Sequence, residues 1–323
     1  MTSRSASISC ILALSLFAPS AGFAQPDEPS DSASENDPAP SAAPSAPPEQ
    51  NTVSPGDAFT WKAGLDLVLG SGDIGTSSFS TRSLLLGGAY RNTDSTFALR
   101  IPFTSATVDS PALGSSTQSV FGNLELSAAR LVSSGDHVQV PLQLAVVFPI
   151  GSGDPWGNDA AVRYAEVQQS AAWSRGADDN PLYLPKHFSV VPSLAIEIEN
   201  TKIELQARQT LEVVLRAGAL KPPAYVTSNM VGLGSLTSLS GFANVVQDRA
   251  WFGLRAWLHH DLRPSYEIDR PGESPSRSQL AFEPQARGKL GHVVAAIGYI
   301  LPVGGELGDA SVHGIRLAAS ARF

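Results

Sequence analysis

The 323-residue sequence predicts an all-β fold: a transmembrane antiparallel β-barrel of about twelve strands behind a disordered N-terminal linker. Three observations lead there. Apolar residues alternate with polar or small ones in run after run from Phe59 to the end, the period-two signature of a strand with one apolar and one wet face. These runs are about nine to fourteen residues long, where a membrane-crossing strand needs ~9–11 and a soluble strand averages ~5–6. No stretch approaches the ~20 consecutive apolar residues of a spanning helix.

Taken in chain order, residues 1–24 read as a secretory signal peptide. Arg4 supplies a basic start, Ile8–Phe17 a short apolar run, and Gly22-Phe23-Ala24 the small residues of a cleavage site. Cleavage there removes Cys10, the only cysteine, so the mature chain has no thiol and no disulfide. Residues 25–58 carry eight prolines and seven acids (Asp27, Glu28, Asp31, Glu35, Asp37, Glu49, Asp57) with no lysine or arginine, a composition that leaves little to bury. The formal charge of −8 therefore resides mostly in this linker, and the barrel domain, 59–323, is close to neutral. Nothing in that balance suggests a nucleic-acid partner.

Within the barrel domain, Phe59, Trp61, Ala63, Leu65, Leu67 and Leu69 share one face. Similar faces recur at Phe97–Phe103, Val138–Ile150, Phe188–Ile198, Ile203–Leu215, Phe252–Leu258 and Val293–Leu301. Strands are predicted at 59–70, 81–91, 95–105, 120–132, 137–150, 160–174, 187–199, 201–216, 249–260, 278–289, 291–303 and 313–323, with Pro102, Pro141 and Pro192 at bulges or strand ends. Tight turns at 92–94, 133–136 and 290–291 alternate with longer Gly/Ser/Pro/Asp-rich connections at 71–80, 105–119, 151–160, 260–278 and 304–311, the asymmetry of membrane barrels. Residues 217–248 fit badly. They form an over-long connection with helical periodicity around Leu236–Val246, or they hide a hairpin that raises the count to fourteen. Trp61, Phe97, Phe188 and Phe323 are expected near one rim, and Phe103 and Phe148 near the other.

If the apolar faces meet lipid, the opposite faces line a lumen. The candidates are Lys62, Asp66, Arg100, Glu125, Gln139, Gln143, Glu197, Glu204, Arg208, Glu212, Arg255, Glu283, Arg287 and Arg316. So many charges fit a wet or salt-bridged interior, not a dry core. Either they pair and plug the lumen, or some line a solute path.

Few motifs suggest other chemistry. Gly70-Ser71-Gly72-Asp73 and Gly151-Ser152-Gly153-Asp154 repeat a Gly-rich acidic tetrapeptide, but no helix is predicted after either, which argues against a phosphate loop. Calcium at Asp154, Asn158 and Asp159 is the alternative to an exposed loop, with nothing fixing the ligand number. His259-His260-Asp261 lies at a strand end, where neighbouring residues point to opposite faces. No nucleophile elbow is present. The expectation is no enzyme activity, no cofactor and no metal.

The chain ends Ile315-Arg316-Leu317-Ala318-Ala319-Ser320-Ala321-Arg322-Phe323. An alternating final strand closing on an aromatic, behind an export signal, resembles the last strand of bacterial outer-membrane β-barrels. The resemblance implies that the barrel-assembly machinery reads Ile315, Leu317, Ala319, Ala321 and Phe323. Gly122-Asn123-Leu124-Glu125-Leu126 and the later Pro141–Asp154 segment resemble a pattern in barrels of the MetA-pathway-of-phenol-degradation group, related in style to FadL-type transporters. Asn123 stands where that pattern has Asp, and Ile150 where it has Thr. The resemblance implies uptake of small, including hydrophobic, molecules and carries over no ligand residues.

The reading is a monomeric barrel in the outer membrane of a Gram-negative bacterium, with lipid around it, the linker in the periplasm, and small molecules passing through. Two alternatives stay open: a plugged structural or adhesive barrel whose outer loops bind partners, and a soluble exported β-sandwich.

Overall fold

The computed structural model describes residues 60–323, apart from 75–76, 93, 112–113, 136, 219–221, 223–225, 247–248 and 269–276. The signal peptide (1–24) and the linker (25–58) lie outside the described residues. The strands are β1 (Thr60–Ile74), β2 (Ser77–Arg91), β3 (Ser95–Ser110), β4 (Gly114–Phe121), β5 (Leu124–Ser134), β6 (Val138–Phe148), β7 (His187–Glu199), β8 (Ile203–Arg216), β9 (Val226–Ser228), β10 (Val231–Val246), β11 (Ala250–Arg263), β12 (Tyr266–Ile268), β13 (Ser278–Leu290), β14 (Val293–Val303) and β15 (His313–Arg322). Two α-helices, α1 (Asp159–Ser174) and α2 (Gly305–Asp309), and a short 3-10 turn at Asn180–Tyr183 complete the described elements.

Neighbouring strands pair antiparallel all the way round, and β15 returns to β1 from Lys62↔Arg322 to Ser71↔His313. The cylinder has twelve staves, because β4 and β5 pair with successive halves of β3 and act as one stave broken at Gly122-Asn123. Closure rules out the two-sheet sandwich. The short β9–β12 pair stands apart from the cylinder. Outward-facing side chains are the large exposed apolar ones, such as Leu142, Leu144, Leu194, Ile196, Leu205, Leu254, Ile297 and Ile315, and their alternate neighbours Gln143, Ala195, Arg255 and Arg316 face inward. A belt of this kind suits hydrocarbon. In lipid every backbone donor and acceptor must be paired within the protein, and a closed ladder does so without an edge. Prolines fall where the ladder is interrupted: Pro141 lies opposite a bulge at Leu131/Ser133, and Pro192 and Pro284 sit at gaps in the pairing.

The strand total matches the sequence expectation, but two assignments were exchanged. Residues 160–174, expected as a strand, form α1, and residues 236–246, expected within a long connection, lie in β10. The local reason for α1 is capping. Asn158 accepts a hydrogen bond from the Ala161 amide at 3.0 Å and Asp159 adds a carboxylate to the first turn. Exchanging the two restores the parity of the connections, and among the described residues the extra hairpin does not form. The short connections after Arg91, Ser134, Glu199, Val246 and Leu290 all leave from the end that carries Thr60 and Phe323. There Asn92 and Asn200 accept backbone amides two and three residues on, the Asx geometry that lets tight turns close. The longer connections, after Phe148, Arg216, Arg263 and Val303, leave from the other end. Of residues 71–80 and 105–119, expected as loops, 71–74, 77–80, 105–110 and 114–119 instead extend the β1–β2 and β3–β4 hairpins.

The aromatic rims need the same correction. Trp61 packs on Tyr90 at 4.9 Å near the terminal end. Phe188, expected on that rim, begins β7 at the opposite end and meets Phe148 at 5.8 Å. Phe103 packs on Phe121 at 5.2 Å. Closure ends on the last residue: Phe323 donates its amide to Trp61 O at 2.9 Å, and Trp61 donates back at 3.2 Å.

Candidate functional site: a stoppered lumen

The connection between β6 and β7, residues 149–186, belongs to no sheet and runs into the barrel. Its helix, α1, lies along the inner faces of β1 to β4. Val167 packs with Phe79, Ala106, Val108 and Val120, and Ala171 and Ala172 pack with Leu85, Val147 and Leu182. The inward face is therefore apolar where the helix rests on it. Two glycines seat the helix end. Gly70 and Gly314 are register partners on β1 and β15, and a Cβ on either would stand 2.3–2.4 Å from Ser174. The first Gly-rich tetrapeptide thus serves close approach of backbone to helix.

Past the helix, Gly176 and Ala177 both take left-handed backbone angles (φ 64° and 62°) and turn the chain across the lumen. Gly176 lies against Trp257, Ala281 and Ile300, and its carbonyl accepts the Trp257 indole N–H at 2.8 Å. Side chains from opposite walls converge here. Arg100 holds Glu125 with two hydrogen bonds (2.9 and 2.5 Å) and reaches Asp179 at 2.8 Å. Arg175 pairs with Asp66 and Asp179. Arg255 lies 2.7 Å from Glu283 and 3.1 Å from Asp178. Arg316 lies 3.0 Å from Glu283, 3.5 Å from Asp178 and 3.6 Å from Asp66. Arg175, Arg316 and Glu283 are 0% exposed, so the centre of this layer is closed to solvent.

Asn123 pins the base of the stopper. Its side-chain nitrogen donates to the carbonyls of Pro181 (3.0 Å) and Leu184 (2.7 Å), and its oxygen accepts from the Gly151 amide (3.2 Å). Asn123 thus fastens both ends of the segment. Asp154 accepts from the Trp156 amide and pairs with Lys186, and Asn158 caps α1.

The other lumen candidates sit toward the ends. Lys62, Glu204 and Arg287 lie near the terminal end, with Arg287 3.1 Å from Glu204 and stacked on Phe242. Glu197 accepts from Gln206, and Arg208 donates to Gln143 at 3.2 Å. Gln139, Gln143, Glu197 and Arg208 line a recess of about 40 Å³ below the stopper. Glu212 meets His259 at 3.3 Å, whereas His260 turns to Ser278 on the other face. Ile315 and Leu317 face outward, and Phe323 is 77% exposed. Sequence reasoning missed Asn123, Arg175, Asp178 and Asp179 as site residues. The Asn158-Asp159 cap signal, followed by Gly176 past a helix end, could have found the helix that delivers three of them.

Burial alone would raise the Asp179 carboxyl, but Arg100, Arg175 and Arg316 override it and hold it well below the usual carboxylate range. A depressed carboxylate contributes stability above its unfolded value, ~3.9, and loses it only as pH falls through the lower folded value. Acidifying from pH 7 to 5 is expected to leave the stopper in place. Protease resistance of residues 159–186 across that range checks it.

A closed barrel with an apolar outer belt and an inward-folded connection defines a stoppered membrane-type β-barrel. No family model matches the chain, and no curated protein matches it. Among solved structures, an outer membrane channel from Pseudomonas putida F1 is 14% identical, covering 84% of this chain and 100% of that one, with a TM-score of 0.56. The β domain of a Bordetella autotransporter is 10% identical over 83% of this chain and 100% of that one, with a TM-score of 0.46. The Pseudomonas putida toluene transporter TodX is 8% identical over 82% and 88%, with a TM-score of 0.39. The first likeness shows a shared fold.

Proposed function

We propose that the protein sits in the outer membrane of a Gram-negative bacterium and passes small molecules through a lumen that residues 149–186 close. The end with both termini faces the periplasm, together with the linker 25–58, and the stopper enters from outside. The fold shared with an outer membrane channel supports this reading. One observation carries it: the stopper is a single connection held by side chains, glycine seats and Asn123, with no strand pairing to the wall. A closure made this way can leave while the barrel stays intact.

The zero exposure of Arg175 and Arg316 favours the second reading, a permanently stoppered barrel that presents its outer loops to partners. Planar-bilayer recording decides between them. Replacing residues 155–184 with a short Gly-Ser linker should give large steady conductance in a variant that still shows heat-dependent gel migration. A folded variant with no conductance would remove the channel reading.

The barrel-assembly machinery, acting on a monomer, recognises the outward row Ile315, Leu317, Ala319, Ala321 and Phe323. Deleting Phe323, which closes β15 on Trp61, is expected to lower the yield of folded barrel far more than deleting residues 26–50. Equal yields would contradict it.

A further inference from the structure

We propose that Asp178 and Asp179 occupy, on the stopper, the place of a small dicarboxylate solute, and that such a solute opens the channel by taking over their arginines. The inference rests on the channel reading above and names its substrate class.

Three wall arginines are each satisfied on one side by a wall carboxylate: Arg100 by Glu125, and Arg255 and Arg316 by Glu283. Each turns a second guanidinium nitrogen toward the lumen. Those nitrogens meet carboxylates that do not belong to the wall: Arg100 Nη1 lies 2.8 Å from Asp179, and Arg255 Nη2 and Arg316 Nη2 lie 3.1 and 3.5 Å from Asp178. Planar guanidinium donors of this kind suit carboxylates and give an apolar solute nothing to bind. Were the stopper to leave, these donors would lose the acceptors they hold in the closed state. The backbone is bent to bring the two carboxylates there. Ala177, which has a side chain, takes a left-handed conformation directly after Gly176, and Asp178 and Asp179 follow at once.

Competition makes the solute an opener. A ligand shifts an equilibrium only by binding one state better than the other. A dicarboxylate can reach these nitrogens only when Asp178 and Asp179 have moved away, so it binds the open state alone. When it does, Asp66 keeps Arg316 as its neighbour.

The test is single-channel recording of the full mature chain in planar bilayers, with succinate as the probe and acetate at matched ionic strength as the control. Added on the side opposite the termini, succinate should raise open probability about tenfold over acetate. Asp178→Asn/Asp179→Asn should open without succinate and gain little from it. A variant that conducts beside a wild type indifferent to succinate would overturn the inference and leave the channel reading standing. Silence even after removal of residues 155–184 would instead remove the channel reading, and the inference with it. If the double variant fails to fold, shown by loss of heat-dependent gel migration, the wild-type comparison of succinate with acetate decides alone: equal open probability overturns the inference.

Discussion

Arg316→Met is expected to destabilise the folded barrel by about 3–5 kcal/mol, the cost of removing one partner from a buried ion network. Arg316 is fully buried on β15 and sits among Glu283, Asp178 and Asp66. Methionine keeps the length of the side chain, so packing is nearly preserved and the loss is electrostatic. Arg255 remains beside Glu283 and Asp178, and Arg175 beside Asp66, which limits the damage but leaves five carboxylates to three arginines in the layer. Adding Glu283→Gln should recover part of the loss, because neighbours in one network do not add independently. Denaturant melts followed by the shift between folded and unfolded gel bands measure both. A single-variant cost under about 1 kcal/mol, the range of exposed pairs, would mean that water reaches this layer.

Gly314→Val is expected to leave the barrel closed and expel the stopper. The new Cβ would stand 2.4 Å from the Ser174 carbonyl oxygen and 3.1 Å from Val68. The first clash is with backbone at the end of α1, which has no side chain to swing aside. Valine itself suits a strand, so β15 should still pair with β14 and β1. Gly70, the partner across the β1–β15 ladder, is crowded instead by the Ser174 side chain, whose Cβ would stand 2.3 Å from an added Cβ. Limited proteolysis reads the outcome. Cleavage within residues 159–186 should be rapid in the variant and slow in the wild type, with the strands intact in both. Equal protection would show that the glycines do not seat the helix.

The cylinder was legible because lipid and lumen impose opposite demands on alternate residues, and alternation survives in a bare sequence. Leu142, Gln143 and Leu144, or Leu194, Ala195 and Ile196, state the face of each residue without any knowledge of neighbours. The stopper was not legible in this way. Ala160–Ser174 mixes small, polar and apolar residues because one side of α1 rests on the wall and the other faces the lumen contents. A loose period-two match in that stretch was enough to suggest a strand. β10 failed in the opposite direction. Its inward positions include Gly234, Ser238 and Ser240, so the contrast between faces is faint. The exchanged assignments kept the total at twelve while inverting the parity between them, and the inverted parity also misplaced Phe188. The charged lining could be read as inward, but not its pairing. Arg100 and Glu125 are register partners on β3 and β5, whereas Asp178 and Asp179 arrive through a turn that no local pattern announces.

The central claim is that the apolar faces of these staves touch hydrocarbon while the alternate faces do not. Spin labels on single cysteines at each position of 138–148, in a background lacking Cys10 and reconstituted in lipid bilayers, test it most directly. Oxygen accessibility should rise at Leu142, Leu144 and Val146 and fall at Gln143, Ala145 and Val147, with a period of two. A flat profile, or one with its maxima at Gln143 and Ala145, would contradict the account.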